Sequence, residues 1–230
     1  MQSLLVERLG LHLKPPFCSL LFRTLVQTVV FALALTLLGG AACADPLVRV
    51  YAIRGFVGIV FSRGMNQLCD ELNKLPQVMC EVEDFHSEAE IEHEASIAFG
   101  QAQKVVLVGH SWGAHAALKI AATIPGSVPL VVTIDPNWFP EPPIVPNNVE
   151  VVLNYYQDFD MLGRAALTTA PGYAGSLVQI LRNEPHVMID ASPAIHAEIM
   201  NRIKDIVAKL EPRPNKPARA PAKIDNSKRH

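Results

Sequence analysis

A serine held between two glycines is the feature of this sequence with the clearest chemical potential. Residues 109–113 read Gly-His-Ser-Trp-Gly, with Ser111 at the centre. The preceding run 104–108 (KVVLV) predicts a buried strand, and the alanine-rich stretch 112–124 predicts a helix. A turn this tight needs residues with almost no side chain beside the serine, and it lifts the hydroxyl above the sheet. Ser111 is therefore a candidate nucleophile; the competing interpretation is a glycine-rich turn with an incidental serine.

The surrounding segment 105–117 (VVLVGHSWGAHAA) resembles the nucleophile elbow of the α/β-hydrolase superfamily, and its sequence is nearest to those of lipases and thioesterases. The resemblance extends over the strand and helix order of residues 48–210, although the specific wording is confined to short stretches. It implies a serine hydrolase that uses Ser111, needs no cofactor, and carries its triad in the order serine, acid, histidine.

A serine hydroxyl is a weak nucleophile, so a base must take its proton. His186 follows a predicted strand at 177–181 by a short turn, which is where the histidine of the superfamily falls. His196, in the first turn of a predicted closing helix, is the alternative. The resemblance favours His186 as the base.

The acid must orient this imidazole and stabilise its charged form. Asp135 ends the predicted strand 130–134, and the segment Thr-Ile-Asp-Pro around it resembles the acid-bearing turn of pancreatic-type lipases. More typical members carry the acid one strand later, where this chain offers Asp158 and Asp160. Asp135 is the preferred acid.

Two backbone N–H groups are needed to stabilise an oxyanion. Trp112, directly after the nucleophile, is predicted to supply one, and Phe56 in the glycine-flanked loop 55–58 the other. Many family members have His-Gly at the start of that loop, whereas this chain has Arg54-Gly55. Several aromatic side chains suggest either an apolar acyl-binding wall or ordinary packing: Trp112, Trp138, Phe139, Tyr155 and Tyr156.

Alternating strands and helices must position these groups. Strands are predicted at 48–53, 78–82, 104–108, 130–134, 149–155 and 177–181, and helices at 64–75, 87–99, 112–124 and 193–210. Several strands are apolar throughout, which indicates a mostly parallel sheet covered by helices on both faces. The predicted fold class is α/β, in the form of a compact α/β-hydrolase fold with its chemistry at the carboxyl ends of the strands.

Three segments of different composition are predicted along the 230 residues. Residues 1–44 combine basic residues, an apolar run at 25–38 and a small-residue end at Ala-Cys-Ala, which is typical of a secretory signal cleaved after Ala44. The alternative is an uncleaved membrane anchor at 24–44. Residues 45–210 form the hydrolase domain, and residues 211–230 a proline-rich basic tail predicted to be disordered. The protein is thus expected to be secreted or periplasmic, with a possible membrane or envelope contact through its termini.

Composition and charge exclude other classes. Half of the residues are apolar and 18% are charged, so the chain is not a disordered polymer. The net charge of −2 gives no cationic footprint for nucleic acid. His86 and His93, with Glu90 between them, are interpreted as a solvated helix face rather than a metal site. Cleavage would leave two cysteines, Cys69 and Cys80, either paired in an oxidising compartment or free.

The predicted function is an exported serine hydrolase that cleaves a small-molecule carboxylic ester through an acyl-enzyme. A thioesterase is the alternative within the same chemistry, and export favours the ester because acyl thioesters are mostly internal. A non-catalytic cell-envelope binding protein on the same fold is the alternative from another class. The intact glycine-flanked serine disfavours it, because a pure binding protein has no need of a strained elbow.

Overall fold

The computed structural model describes residues 46–136, 143–157 and 166–210. The strands in these ranges are β1 Val48–Arg54, β2 Val78–Asp84, β3 Lys104–His110, β4 Leu130–Ile134, β5 Ile144–Val145, β6 Val151–Gln157, β7 Thr168–Thr169 and β8 Ser176–Arg182. The α-helices are α1 Gly58–Phe61, α2 Arg63–Leu72, α3 Glu88–Gly100, α4 Trp112–Thr123, α5 His186–Ile189 and α6 Pro193–Leu210, and a 3₁₀ turn spans Phe85–Ser87.

Six of these strands form one sheet in the order β2-β1-β3-β4-β6-β8, and every neighbouring pair is parallel. The two short strands β5 and β7 pair with each other, also in parallel. The predicted α/β class, with a mostly parallel sheet and helices around it, is confirmed.

Two apolar layers, one on each face of the sheet, build the core. On β1, Val48, Val50 and Ala52 pack into the layer that contains buried residues of α2 and α6. The alternating residues Tyr51 and Ile53 pack into the opposite layer, with buried residues of α3 and α4. Because successive side chains of a strand point to opposite faces, an apolar strand such as β1 is stable only when both faces are covered.

The strand order reverses its direction of growth between β1 and β3. The chain adds β2 on one side of β1, and then returns to add β3, β4, β6 and β8 on the other. In open parallel sheets, ligands bind in the crevice at the carboxyl ends of the strands where the order switches. The loops that follow β1 and β3 border that crevice, and these loops contain Gly55 and Ser111.

Element boundaries differ from the sequence predictions at a few places. The helix predicted at 64–75 ends at Leu72, because Asn73 turns its side chain to bond both the N–H and the carbonyl of Cys80. The strand predicted at 149–155 lies at Val151–Gln157, and Val149 forms only an isolated bridge with Val128. The short helices α1 and α5 were not predicted, since four residues carry too little periodicity.

The predicted signal or anchor segment at 1–44 and the tail at 211–230 lie outside the described residues. Among the helices that the structure does describe, none is long and apolar enough to cross a bilayer.

A disulfide joins Cys69 on α2 to Cys80 on β2, with the Cα atoms 5.1 Å apart. Both cysteines are buried in the layer between the sheet and α2. The bond therefore fixes α2 to the edge strand, at a place that Asn73 also bridges.

Replacing both cysteines with alanine should lower the free energy of unfolding by about 2–3 kcal/mol, because closing a loop of this size restricts the unfolded chain. Urea denaturation of the oxidised protein and the double variant measures the difference, and the reduced wild type is the control. Two alkylatable thiols in the unreduced, denatured protein would contradict the pairing.

Candidate active site

Ser111 occupies a strained backbone conformation at the point where β3 ends and α4 begins. Its φ of 56° and ψ of −120° lie in a region that side-chain-bearing residues rarely adopt. Its N–H donates to the carbonyl of Ile134 at 2.9 Å, which continues the pairing of β3 with β4 beyond the last strand residue. The tertiary structure thus holds the bend that the Gly-His-Ser-Trp-Gly segment predicted.

Both glycines of that segment are required by close backbone packing. A Cβ atom at Gly109 would lie 2.2 Å from the carbonyl oxygen of Gly113, across the bend. A Cβ atom at Gly113 would lie 2.2 Å from the carbonyl oxygen of Ile53 on β1. Backbone atoms cannot yield as a flexible side chain can, so a larger residue at Gly113 would force the elbow away from β1, and one at Gly109 would open the bend itself.

A third glycine brings the loop after β1 against the nucleophile. A Cβ atom at Gly55 would lie 2.8 Å from Ser111 Cβ and 3.3 Å from Ser111 Oγ. The next residue, Phe56, supplies the predicted oxyanion donor. Among the described residues, no backbone hydrogen bond uses the Phe56 N–H. This N–H belongs to the residue after Gly55, whose backbone lies close to Ser111.

Trp112 is the other predicted donor, and it is the first residue of α4. The N–H groups of a first helical turn have no partner within the helix, and the positive end of the helix dipole lies there. The α4 helix therefore directs a backbone donor and a favourable field toward the region beside Ser111.

Asp135 directly follows β4 and is 1% exposed. Its φ of 44° is left-handed, and its N–H donates to the carbonyl of Tyr155 at 2.6 Å. Since β3 and β4 are adjacent and Ser111 bonds to the residue before Asp135, the two side chains arise from neighbouring strand ends.

Asp135 and His186 form a hydrogen-bonded pair, with 2.6 Å between the carboxylate Oδ2 and the imidazole Nδ1. A carboxylate oxygen accepts, so Nδ1 of a neutral His186 must carry the hydrogen. The Nε2 atom is then left as the acceptor, which is the state that a general base needs. Within the described residues no hydrogen bond joins Ser111 Oγ to His186; in ligand-free sites such contacts often tighten only with substrate.

His196, the alternative base, lies in a different environment. It is buried on α6, its Nε2 bonds to the carbonyl of Asp190 at 2.8 Å, and its Nδ1 lies 3.3 Å from Glu71 of α2. These contacts join α6 to α2 and α5. The alternative acids Asp158 and Asp160 lie outside the described residues.

The segment before His186 is held by a charged cluster. Arg182 is paired with Glu184, and the Ser192 hydroxyl donates to Glu184 at 3.0 Å. The Arg182 hydrogen bond lowers the pKa of Glu184 to about 2, so Glu184 stays ionised at neutral pH. The Gln157 amide at the end of β6 donates to the carbonyl of Glu184. This cluster fixes the turn that leads into α5, and no spacing pattern in the sequence indicated it.

The aromatic residues considered as an acyl-binding wall are only partly placed there. Trp112 lies beside Phe85, with ring centroids 5.8 Å apart. Tyr155 instead belongs to the buried core, where burial raises its pKa to about 12. Tyr156 is partly buried on the same strand, and Trp138 and Phe139 lie outside the described residues.

His86 and His93 were interpreted as part of a solvated helix face. The ring of His86 lies 3.8 Å from that of Phe85, centroid to centroid. In the part of the chain that the structure describes, no group of three or more histidine, cysteine or acidic side chains is arranged to hold a metal ion.

Comparison with known proteins identifies the family. The model of the alpha/beta hydrolase family matches residues 28–221. The chain therefore belongs to the alpha/beta hydrolase family. No curated protein has a significant match to it.

Solved structures with a similar fold share little sequence with this chain. A protein of the alpha/beta superfamily from Xanthomonas campestris pv. campestris is 15% identical, with coverage of 71% of this chain and 99% of that chain and a TM-score of 0.44. Est1E from Butyrivibrio proteoclasticus is 13% identical, with coverage of 70% and 90% and a TM-score of 0.43. The thioesterase domain that cyclises the lipopeptide antibiotic surfactin is 11% identical, with coverage of 76% and 100% and a TM-score of 0.45.

Substituting Gly113 by alanine should destabilise the protein by about 1–3 kcal/mol or more, because the added methyl overlaps the Ile53 carbonyl. Gly100, at the end of α3, is the matched control: a Cβ there meets nothing within 4 Å. Gly100→Ala should leave stability unchanged or raise it by up to about 1 kcal/mol. Urea denaturation compares the two variants, and equal stability would refute the packing argument for the elbow.

Proposed function

We propose that this protein is a serine hydrolase that cleaves a carboxylic ester through a covalent acyl-enzyme. Ser111 is the nucleophile, His186 the base and Asp135 the acid that orients the base. The N–H groups of Trp112 and Phe56 form the oxyanion hole.

The observation that carries this proposal is the 2.6 Å hydrogen bond between Asp135 and His186, formed beside the strained elbow at Ser111. Burying a carboxylate costs free energy unless the group is paired. A buried carboxylate beside an imidazole therefore has either a structural or a chemical role. Here the pair stands at the end of the strand next to the elbow, and it leaves the outer nitrogen of His186 as an acceptor. Chemistry explains both features, whereas packing alone explains neither.

The first half of the reaction transfers the acyl group to the protein. His186 Nε2 takes the proton of the Ser111 hydroxyl while Oγ attacks the carbonyl carbon of the ester. The imidazolium that results is stabilised by the Asp135 carboxylate, and the tetrahedral oxyanion by the N–H groups of Trp112 and Phe56. His186 then returns the proton to the alkoxide oxygen as the ester bond breaks, so the alcohol leaves neutral.

The second half releases the acid. A water molecule gives one proton to His186 Nε2 and adds its oxygen to the acyl carbonyl. The same two N–H groups stabilise the second oxyanion. The proton then passes to Ser111 Oγ as the acyl bond breaks, which restores the resting state.

The surface near these groups supports an apolar acyl substrate. The loop and helix after β1 form a stretch without charge, residues 55–61 (GFVGIVF), in which Phe56 is 64% exposed and Ile59 72% exposed. On α5, two residues after His186, Met188 is 61% exposed. One of these segments carries the proposed donor Phe56 and the other the proposed base His186. Exposed large apolar side chains in both favour a hydrophobic ligand over a charged one.

Export is part of the proposal. The disulfide between Cys69 and Cys80 supports it, because such bonds persist in oxidising compartments. The signal-like segment at residues 1–44 supports it independently. An exported hydrolase has little access to acyl thioesters, and we therefore place ester hydrolysis ahead of thioester hydrolysis.

A fluorophosphonate probe should label the protein once, at Ser111, since only an activated serine attacks phosphorus at a useful rate. Peptide mass mapping locates the adduct. Ser111→Ala should abolish the label and reduce p-nitrophenyl ester turnover by about 10⁴- to 10⁶-fold. An unlabelled, folded wild-type protein would favour the binding-protein alternative, and faster turnover of acyl thioesters than of esters would favour the thioesterase.

Asp135→Asn should lower kcat by about 10³- to 10⁴-fold, because an amide neither fixes the required tautomer of His186 nor stabilises the imidazolium. Glu71→Gln is the matched control, since Glu71 is the carboxylate beside His196, the alternative base. That variant should keep the wild-type kcat. If Asp135→Asn kept full activity, the acid would have to be sought at Asp158 or Asp160.

A further inference from the structure

A buried imidazole that the proposed mechanism does not use lies directly before the nucleophile. His110 is the last residue of β3 and is 1% exposed. Its ring lies 4.8 Å from that of His186, centroid to centroid. A fully buried histidine at this position requires partners for both ring nitrogens.

Both nitrogens have a partner, and each partner belongs to a different segment of the site. Nδ1 lies 2.8 Å from Ser62 Oγ, and Nε2 lies 3.0 Å from the main-chain carbonyl oxygen of His186. Ser62 precedes α2, yet its hydroxyl does not cap that helix. The hydroxyl instead accepts the N–H of Gly55 at 3.2 Å.

The hydrogens along this chain of contacts have only one consistent arrangement. A carbonyl oxygen can only accept, so Nε2 of His110 carries the hydrogen. Burial lowers the pKa of His110 to about 3, which leaves the ring neutral and makes Nδ1 an acceptor. The Ser62 hydroxyl therefore donates to Nδ1 and accepts from Gly55.

Three residues in this series of hydrogen bonds lie in or next to a residue of the proposed catalytic machinery. Gly55 precedes Phe56, His110 precedes Ser111, and His186 contributes its own carbonyl. The three segments follow the ends of β1, β3 and β8. Sheet hydrogen bonds stop at the last paired residues of these strands, so the sheet alone does not hold the segments together.

We propose that His110 is a positioning residue. It fixes the positions of the loop 55–58, which bears Phe56, and of the start of α5 at His186, relative to the nucleophile Ser111. The inference rests on the proposed function, because it assigns a role in that same reaction. The hydrogen bonds of His110 go to Ser62 and to the main chain of His186, not to the Ser111 hydroxyl or the His186 imidazole. It acts through Ser62 on the loop that bears Phe56, and through the His186 carbonyl on the base.

A second anchor holds Asp190, the residue that follows α5. The Asp190 carboxylate accepts the N–H of Gly64 at 2.7 Å, and the Asp190 carbonyl bonds to His196. Loss of the His110 contact should therefore leave α5 attached to α2 while its first residue moves. A shift of about 1 Å at a catalytic group costs roughly 10²-fold in rate.

The test compares His110→Asn, His110→Gln and Ser62→Ala with the wild type. The asparagine amide reaches the position of Nδ1 but not that of Nε2, whereas the glutamine amide reaches the position of Nε2. We expect kcat to fall by about 10- to 100-fold in His110→Asn with little change in KM. His110→Gln should recover most of that loss, and Ser62→Ala, which breaks the link to Gly55, should also lower kcat.

The control is His196→Gln, a change in a buried histidine that bonds the Asp190 carbonyl; among the described residues no hydrogen bond joins it to the loops after β1 and β3. The Asp190 carboxylate keeps its bond to Gly64 in this variant. Thermal unfolding and active-site titration with the fluorophosphonate correct each kcat for the folded fraction. His196→Gln should change the melting temperature and leave the corrected kcat unchanged.

Two results would overturn the inference: wild-type corrected kcat in Ser62→Ala, and in His110→Asn where that variant folds, or an equal loss of corrected kcat in His196→Gln. Ser62→Ala removes a single oxygen, so it decides the matter even if His110→Asn does not fold. Failure of the proposed function would be seen separately, as a wild-type protein with no activity above the Ser111→Ala blank.

Discussion

The hydrogen bond between Asp135 and His186 is the interaction on which the proposed chemistry depends. It joins side chains 51 residues apart, one after β4 and one after β8, across a sheet whose intervening strand is β6. A carboxylate that is 1% exposed is stable as an anion only with such a partner. The same bond fixes the tautomer of the imidazole, so structure and reactivity are coupled at one contact.

Close backbone packing provides the frame for that contact. The backbones of β1, β3 and α4 meet closely because no side chain is present at Gly55, Gly109 and Gly113. This packing places Ser111 at the crevice, directly before the start of α4. The polar chain from Gly55 through Ser62 and His110 to His186 then ties the loops that the sheet leaves unpaired. The glycines determine where the site forms, and the buried hydrogen bonds determine its internal geometry.

Much of this arrangement can be predicted from sequence because it depends on local patterns. The apolar run before Gly109 predicts β3, and the alanine-rich stretch after Ser111 predicts α4; both lie where expected. Strand order places Asp135 beside Ser111, and the superfamily resemblance selected His186, which the structure pairs with Asp135. The strand and helix predictions need only period, spacing and the rule that parallel strands share one chemical edge. The choice of Asp135 and His186 rested on the family resemblance.

The remaining parts depend on contacts between distant residues, which no local pattern encodes. No pattern in the sequence predicts a contact between Ser62 and His110, which the fold brings together at 2.8 Å. Tyr155 reads as a candidate pocket residue, yet its position on a central strand buries it in the core. The pairing of Cys69 with Cys80 likewise follows from how α2 lies on β2.

The most direct test of the account is whether Ser111 and His186 act as one unit. The measurement is a double-mutant cycle on kcat/KM with a p-nitrophenyl ester, using Ser111→Ala, His186→Ala and the combined variant. If the groups form one proton-transfer unit, the combined variant will be no slower than either single variant. If the two losses multiply instead, the residues act independently, and the catalytic unit described for this protein does not exist.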